Sequence, residues 1–171
     1  MDDSSSDEPP QRTSASGVIS LIDPDALLAE ADLVWLAQAA DRAAEFMKLQ
    51  GEVRVRLLND DAMAQAHERY KGEAGPTDVL TFDLDPDSGV LDVDMLVCVD
   101  EAKRRAAQIG HEASREILLY IVHGILHCLG HDDHDGRDAE RMHREEDRIL
   151  SAIGVGAVYA PAADAGGEGS L

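Results

Sequence analysis

A chain of 171 residues that is 44% hydrophobic, with two cysteines and no apolar run approaching the length of a bilayer span, suits one globular domain with a proper core. Its formal net charge of −20 favours solubility and argues against indiscriminate binding to nucleic acid, so any RNA contact has to use a local basic patch. Cys98 and Cys128 stand in apolar surroundings with no secretory signal ahead of them, which reads as two reduced, buried thiols in a cytoplasmic protein.

Residues 1–16 are Ser- and Pro-rich and carry Asp2, Asp3, Asp7 and Glu8, a composition that predicts a disordered acidic tail. A single domain is expected over 17–153, followed by a flexible Gly- and Ala-rich tail over 154–171. Val18 to Ile22 reads as a short edge strand ended by Asp23-Pro24. From Asp25 to Leu49 the residues Leu27, Leu28, Ala31, Val34, Trp35, Ala39, Ala43 and Phe46 recur at helical spacing, with Trp35 and Phe46 expected in the core and Gly51 as the stop. Glu52 to Leu58 alternates, Val53, Val55 and Leu57 one way and Arg54 and Arg56 the other, as a half-buried strand does. Asn59 or Asp60 caps the next helix, whose inner side carries Met63, Ala66 and Tyr70, whose His67 is expected in solvent, and which stops near Gly72.

Thr77 to Leu84 and Val90 to Val99 are further strands, joined through Pro86-Asp87-Ser88-Gly89 as an antiparallel hairpin. A helix from Asp100 to Ile109 is broken by Gly110. Glu112 to Leu129 is apolar on all sides, the pattern of a buried helix, and Arg137 to Ile153 is amphipathic, with Met142, Ile149, Leu150 and Ile153 inward and His143 in solvent. The fold class that follows is α+β: a mixed sheet of about four strands with one antiparallel hairpin, flanked by about five helices.

Four of the seven histidines and two aspartates fall between His123 and His134. On the buried helix His123 and His127 are one turn apart and share a face, so both imidazoles can reach one ion. Gly130 permits the sharp exit that lets a third ligand fold back. By spacing that ligand is Asp133; by donor type His134 is the alternative, and His131 ranks third. Three protein ligands leave a position open for water, the arrangement of a catalytic rather than a structural zinc.

The run His123-Gly124-Ile125-Leu126-His127, with Gly130 and Asp132 after it, and the segment Tyr70-Lys71-Gly72 followed by Gly75-Pro76-Thr77-Asp78-Val79-Leu80-Thr81-Phe82, resemble the two motifs of the YbeY family of bacterial endoribonucleases. The resemblance spans about residues 50–153. It implies a mixed sheet flanked by helices, one Zn2+ ion, and cleavage of single-stranded RNA in the maturation of small-subunit (16S) ribosomal RNA and in ribosome quality control, with the ribosome or its assembly factors as partners and neither membrane nor DNA. Three positions depart from the family pattern: Asp133 stands where a third histidine is common, Lys71 where an arginine is usual, and Val93 where a glycine precedes Asp94.

On this reading a metal-activated water attacks the phosphodiester, Lys71 counters the developing negative charge, and Asp132 orients a ligand imidazole or takes a proton. Arg54, Arg56 and Arg69 are the expected substrate-binding cations. A non-catalytic ribosome-assembly factor with a structural zinc is the first rival. A metallopeptidase is the second, weakened because that class needs a glutamate at the position of Gly124.

Overall fold

The computed structural model describes residues 12–13, 17–73, 75, 77–131 and 135–156. In chain order these form β1 (Arg12–Thr13), β2 (Ile19–Ile22), α1 (Glu30–Met47), β3 (Gly51–Leu58), α2 (Asp60–Lys71), β4 (Val79–Asp83), β5 (Leu91–Cys98), α3 (Val99–Ile109), α4 (Ala113–Cys128) and α5 (Gly136–Ala152). The strands make one sheet in the order β1-β2-β3-β5-β4, in which β2, β3 and β5 run parallel while β1 and β4 are antiparallel to their neighbours at the two edges. The mixed sheet, the β4–β5 hairpin and the five helices are those the sequence predicts. Strand β1 is an addition, pairing with Leu21 and Ile22 from inside the stretch whose composition reads as disordered. Apart from β1 and residues 154–156, the two tail readings fall outside the described residues.

Alternation decides which face of the sheet is which. Val53, Val55 and Leu57 of β3 and Val93, Met95 and Val97 of β5 are fully buried and pack under α1 and α4 in one core. Each such side chain contributes roughly 1.5–3 kcal/mol on leaving water. The opposite face carries Arg54, Asp92 and Asp94 along its middle, and is covered at one end by α2, where Met63 closes on Leu80 and Cys98. Asn59 caps α2 by accepting from the Ala62 amide at 2.9 Å. No helix among the described residues is long and apolar enough to cross a membrane.

Helix α1 starts later than its periodicity predicts. The buried Asp23 carboxylate accepts from the amides of Leu27 at 2.9 Å and Leu28 at 3.0 Å, holding residues 23–28 in a turn, so helical pairing begins only at Glu30. The apolar stripe is shifted accordingly: Leu33, Leu36, Ala37 and Ala40 are buried, whereas Val34 and Phe46 are exposed. Phe46 is therefore a surface residue, its ring 5.1 Å from the Arg148 guanidinium, while Trp35 does pack against the core. Tyr70, read as an inward residue of α2, is 54% exposed.

Gly51 opens β3 with a φ of +113°, and a Cβ there would fall 2.1 Å from the Leu91 carbonyl oxygen and 2.6 Å from its nitrogen. The obstacle is backbone in a paired strand, which cannot swing aside as a side-chain tip can. Gly51→Ala is expected to cost about 1–3 kcal/mol through overpacking and positive φ together. A urea titration measures it, and a midpoint equal to that of the unsubstituted protein would show that the start of β5 yields freely.

Candidate functional site

Helix α4 lies almost against the sheet because Gly124 faces it. A Cβ at this position would sit 2.5 Å from Met95 Cε and 2.7 Å from Thr81 Oγ1. The glutamate that a metallopeptidase would carry at this position is absent, and the space it would need is filled by the Met95 and Thr81 side chains. On either side of this contact His123 and His127 stand one turn apart, with ring centroids 4.7 Å from each other and planes at 79°. Both line a cleft of about 470 Å³ between α4 and the edge strand β4, with Lys71, Asp78, Thr81, Asp83 and Cys128. Thr81 and Asp83 reach it because they pair with Met95 and Val93, the residues that face α4.

His123 is held from behind. Its Nδ1 lies 2.5 Å from Oε2 of Glu146 on α5, and that side chain is completely buried. A carboxylate accepts, so Nδ1–H donates and Nε2 is the nitrogen with a lone pair for a ligand. Oε1 of the same carboxylate accepts from His143 Nδ1 at 3.1 Å, so His143, with its side chain 40% exposed, meets solvent as expected and also supports the site. Glu146 is a member of the site that the sequence reading misses. A signal was there: with Met142 four residues before it and Ile149 and Leu150 three and four after, it occupies the apolar stripe of α5.

The cationic candidates divide. Lys71 lines the cleft, with Nζ 5.7 Å from the Phe82 ring centroid, and the Arg69 guanidinium is 5.6 Å from the neighbouring Tyr70 centroid. Arg54 is elsewhere, on the outer face of β3, bonded to Glu52 at 2.6 Å, Asp92 at 2.5 Å and Asp94 at 2.6 Å. Those carboxylates raise its pKa, the hydrogen bond to Asp92 most, and they take one donor on each of its three nitrogens. Arg56 shares that outer face and does not line the cleft either. Asp78 shapes the entry to β4, its Oδ1 accepting from the Val79 amide at 2.7 Å. His67 is not loose in solvent: Nδ1 is 2.8 Å from the Gly75 carbonyl oxygen and Nε2 is 2.9 Å from Glu73, so it ties the α2–β4 loop back to α2. Asp132, Asp133 and His134 lie outside the described residues, and among the described ones no three His, Cys, Asp or Glu side chains gather as a metal-holding set. His131, the third choice, is exposed just beyond Gly130.

Fold and cleft together define an α+β domain with a cleft between a two-histidine helix, braced by a buried carboxylate, and an open strand edge. The chain belongs to the YbeY family, whose model, described as Endoribonuclease YbeY, matches residues 26–154. A relative of that name from Frankia alni is 36% identical over 137 residues, which is 72% of this chain and 76% of the relative. One from Chloroflexus aurantiacus is 33% identical over 141 residues, 77% of this chain and 92% of the relative. The solution structure of a Thermotoga maritima protein superposes with a TM-score of 0.58 at 21% identity, over 90% of this chain and 95% of that one, and shows the same fold.

Cys128 joins the cleft as a neutral thiol. Burial, reinforced by the charge of Asp83, pushes its pKa up to about 11, and burial does the same for Cys98, also to about 11. Both thiols hold their proton more tightly in the folded than in the unfolded chain. Their contribution to stability is therefore complete below the ordinary value of 9.0 and lost as pH rises through about 11. At pH 8 iodoacetamide should label Cys128 roughly 100-fold more slowly than free cysteine, because so little thiolate is present. Labelling at the rate of the free amino acid would mean that the cleft stabilises the thiolate.

Proposed function

We propose that this protein is a cytoplasmic, zinc-dependent endoribonuclease that cuts single-stranded RNA, acting in 16S ribosomal RNA maturation and ribosome quality control with the ribosome or its assembly factors as partners. The names borne by its relatives support RNA as the substrate class. The observation that carries the metal-dependent part is the Glu146 contact: a buried carboxylate fixing Nδ1 of one of two histidines on a cleft is how proteins orient an imidazole for a metal. His123 and His127 are two of the ligands in this reading. Asp133 is the third, with His134 as the alternative. Two imidazoles with an oxygen or nitrogen donor suit a borderline-soft divalent ion such as zinc.

Zinc held there supplies Lewis-acid activation of water for phosphodiester hydrolysis near neutral pH. The chain's own residues do the rest. Lys71 sets an ammonium in the same cleft against the charge that develops on the phosphoryl oxygens, as a point charge rather than the two-pronged fork of an arginine. Asp132 orients a ligand imidazole or takes a proton. Arg69, two residues before Lys71 in the last turn of α2, contributes a phosphate contact.

His123→Ala/His127→Ala should abolish stoichiometric zinc in the purified protein by elemental analysis; zinc retained at one equivalent would remove both histidines from the site. In a chelator competition Glu146→Ala should weaken zinc binding about 10- to 100-fold. In the same assay Asp133→Ala should weaken it more than His134→Ala, and the reverse ranking transfers the third position to His134.

Lys71→Met should lower the cleavage rate about 10- to 1000-fold with zinc content unchanged. Because hydrolysis leaves the 2′-hydroxyl out of the reaction, the products should carry no 2′,3′-cyclic phosphate when separated by mass spectrometry. A cyclic phosphate as primary product would overturn the water-attack reading, and an unchanged rate would remove Lys71 from the chemistry.

A further inference from the structure

The last turn of α2 presents Arg69, Tyr70 and Lys71 in succession before Gly72 ends the helix with a φ of +71°. Successive helical residues diverge by about 100° and do not normally act together. Here the edge strand gathers them. The Tyr70 ring meets Phe82 of β4 edge to face, centroids 5.3 Å apart and planes at 66°; Lys71 Nζ stands over the Phe82 ring, and the Arg69 guanidinium over that of Tyr70. Phe82 pairs with Asp94, so it projects from the face of β4 opposite to that of its neighbours Thr81 and Asp83. The cluster thus lies round the strand edge from His123 and His127, and Lys71 belongs to both.

Two features of this cluster point to a ligand. Tyr70 keeps 54% of its surface in solvent while its orientation is fixed by Phe82, so it is an aromatic ring held ready rather than one packed away. And in a chain of net charge −20, neither Arg69 nor Lys71 has a carboxylate partner among the described residues, in contrast to Arg54, Arg104 and Arg148. One cation over the exposed Tyr70 ring and another over the Phe82 ring that it meets match the repeat of single-stranded nucleic acid, in which phosphates alternate with bases whose faces are open.

We propose that Tyr70 stacks on an unpaired nucleobase of the RNA strand entering the cleft, while Arg69 and Lys71 hold the flanking phosphates. Preference for single strands follows, since a paired base has no free face to offer. This rests on the reading above that the substrate is RNA. It adds Tyr70, which is a binding residue and takes no part in the chemical step.

The test is fluorescence anisotropy of a labelled single-stranded RNA dodecamer with the metal-free full chain, so that binding is read without cleavage. Tyr70→Ala and Tyr70→Leu should each weaken binding about 5- to 100-fold, and Tyr70→Phe should bind as the parent does, because stacking needs the ring and not the hydroxyl. Tyr70→Leu keeps apolar bulk against Phe82, and its unchanged thermal melt would separate a lost contact from a lost fold. Arg69→Ala should reduce the slope of log affinity against log salt by about 0.7, whereas Tyr70→Leu should leave the slope as it is. A blunt RNA duplex of the same sequence should bind weakly and equally to the parent and to Tyr70→Leu. Equal affinity of the parent and Tyr70→Leu for the single strand would overturn the stacking role, as would a Tyr70→Phe variant as weak as Tyr70→Ala. If that happens while the His123→Ala/His127→Ala protein has lost cleavage, the ribonuclease reading stands without the platform; a parent protein that neither binds nor cuts the single strand removes both.

Discussion

Everything at the cleft depends on how closely α4 can approach the sheet, and that distance is set where no side chain intervenes, at Gly124 over Met95 and Thr81. A methyl group there would have to displace the Met95 and Thr81 side-chain tips that fill the contact. The helix is apolar round its whole circumference for the same reason: it is covered by the sheet beneath and by α1, α3 and α5 around it, leaving only its C-terminal half open toward β4. Burial and function are not separate properties of this helix. The packing that removes eleven of its sixteen residues from water is what aims the two histidines into the cleft.

Glu146 shows what such packing asks of electrostatics. A carboxylate out of contact with water is costly unless its oxygens are bonded, and here each oxygen receives a donor, from His123 and from His143. One group therefore serves two elements, tying α5 to α4 and fixing the imidazole in a single orientation. The outer face of the sheet uses charge differently. There Arg54 is ringed by three carboxylates in a half-exposed network, which fastens β3 to β5 and surrounds the guanidinium with negative charge that repels an anion.

Much of this was legible in the sequence, and the rest was illegible for identifiable reasons. The alternation in β3, the i, i+4 histidines and the hairpin are local patterns, and local patterns survive into the fold. Phe46 and Tyr70 sit at helical spacing from core residues yet lie outside, because periodicity states that an apolar face exists and not how far round the neighbouring elements reach. Arg54 and Arg69 look alike as isolated basic residues; only strand pairing, which sets Asp92 and Asp94 beside Arg54, separates a guanidinium ringed by carboxylates from one with none among the described residues. The contacts of His67 and His143 were not legible because their partners come from a loop and from a carboxylate hidden among the charges of α5.

The chain positions of these parts bear on the order in which the protein can become competent. Lys71, the β4 residues, the two histidines and Glu146 come from four elements spread over some 75 positions. The sheet on which they are mounted needs β3 to wait for β5, Arg54 finding its place beside Asp94 forty residues later. During synthesis from the N-terminus, His123 is made before the helix that supplies its carboxylate. A nascent chain would thus carry a His123 not yet oriented by Glu146 until α5 docks, and docking of that helix is the step that fixes the imidazole.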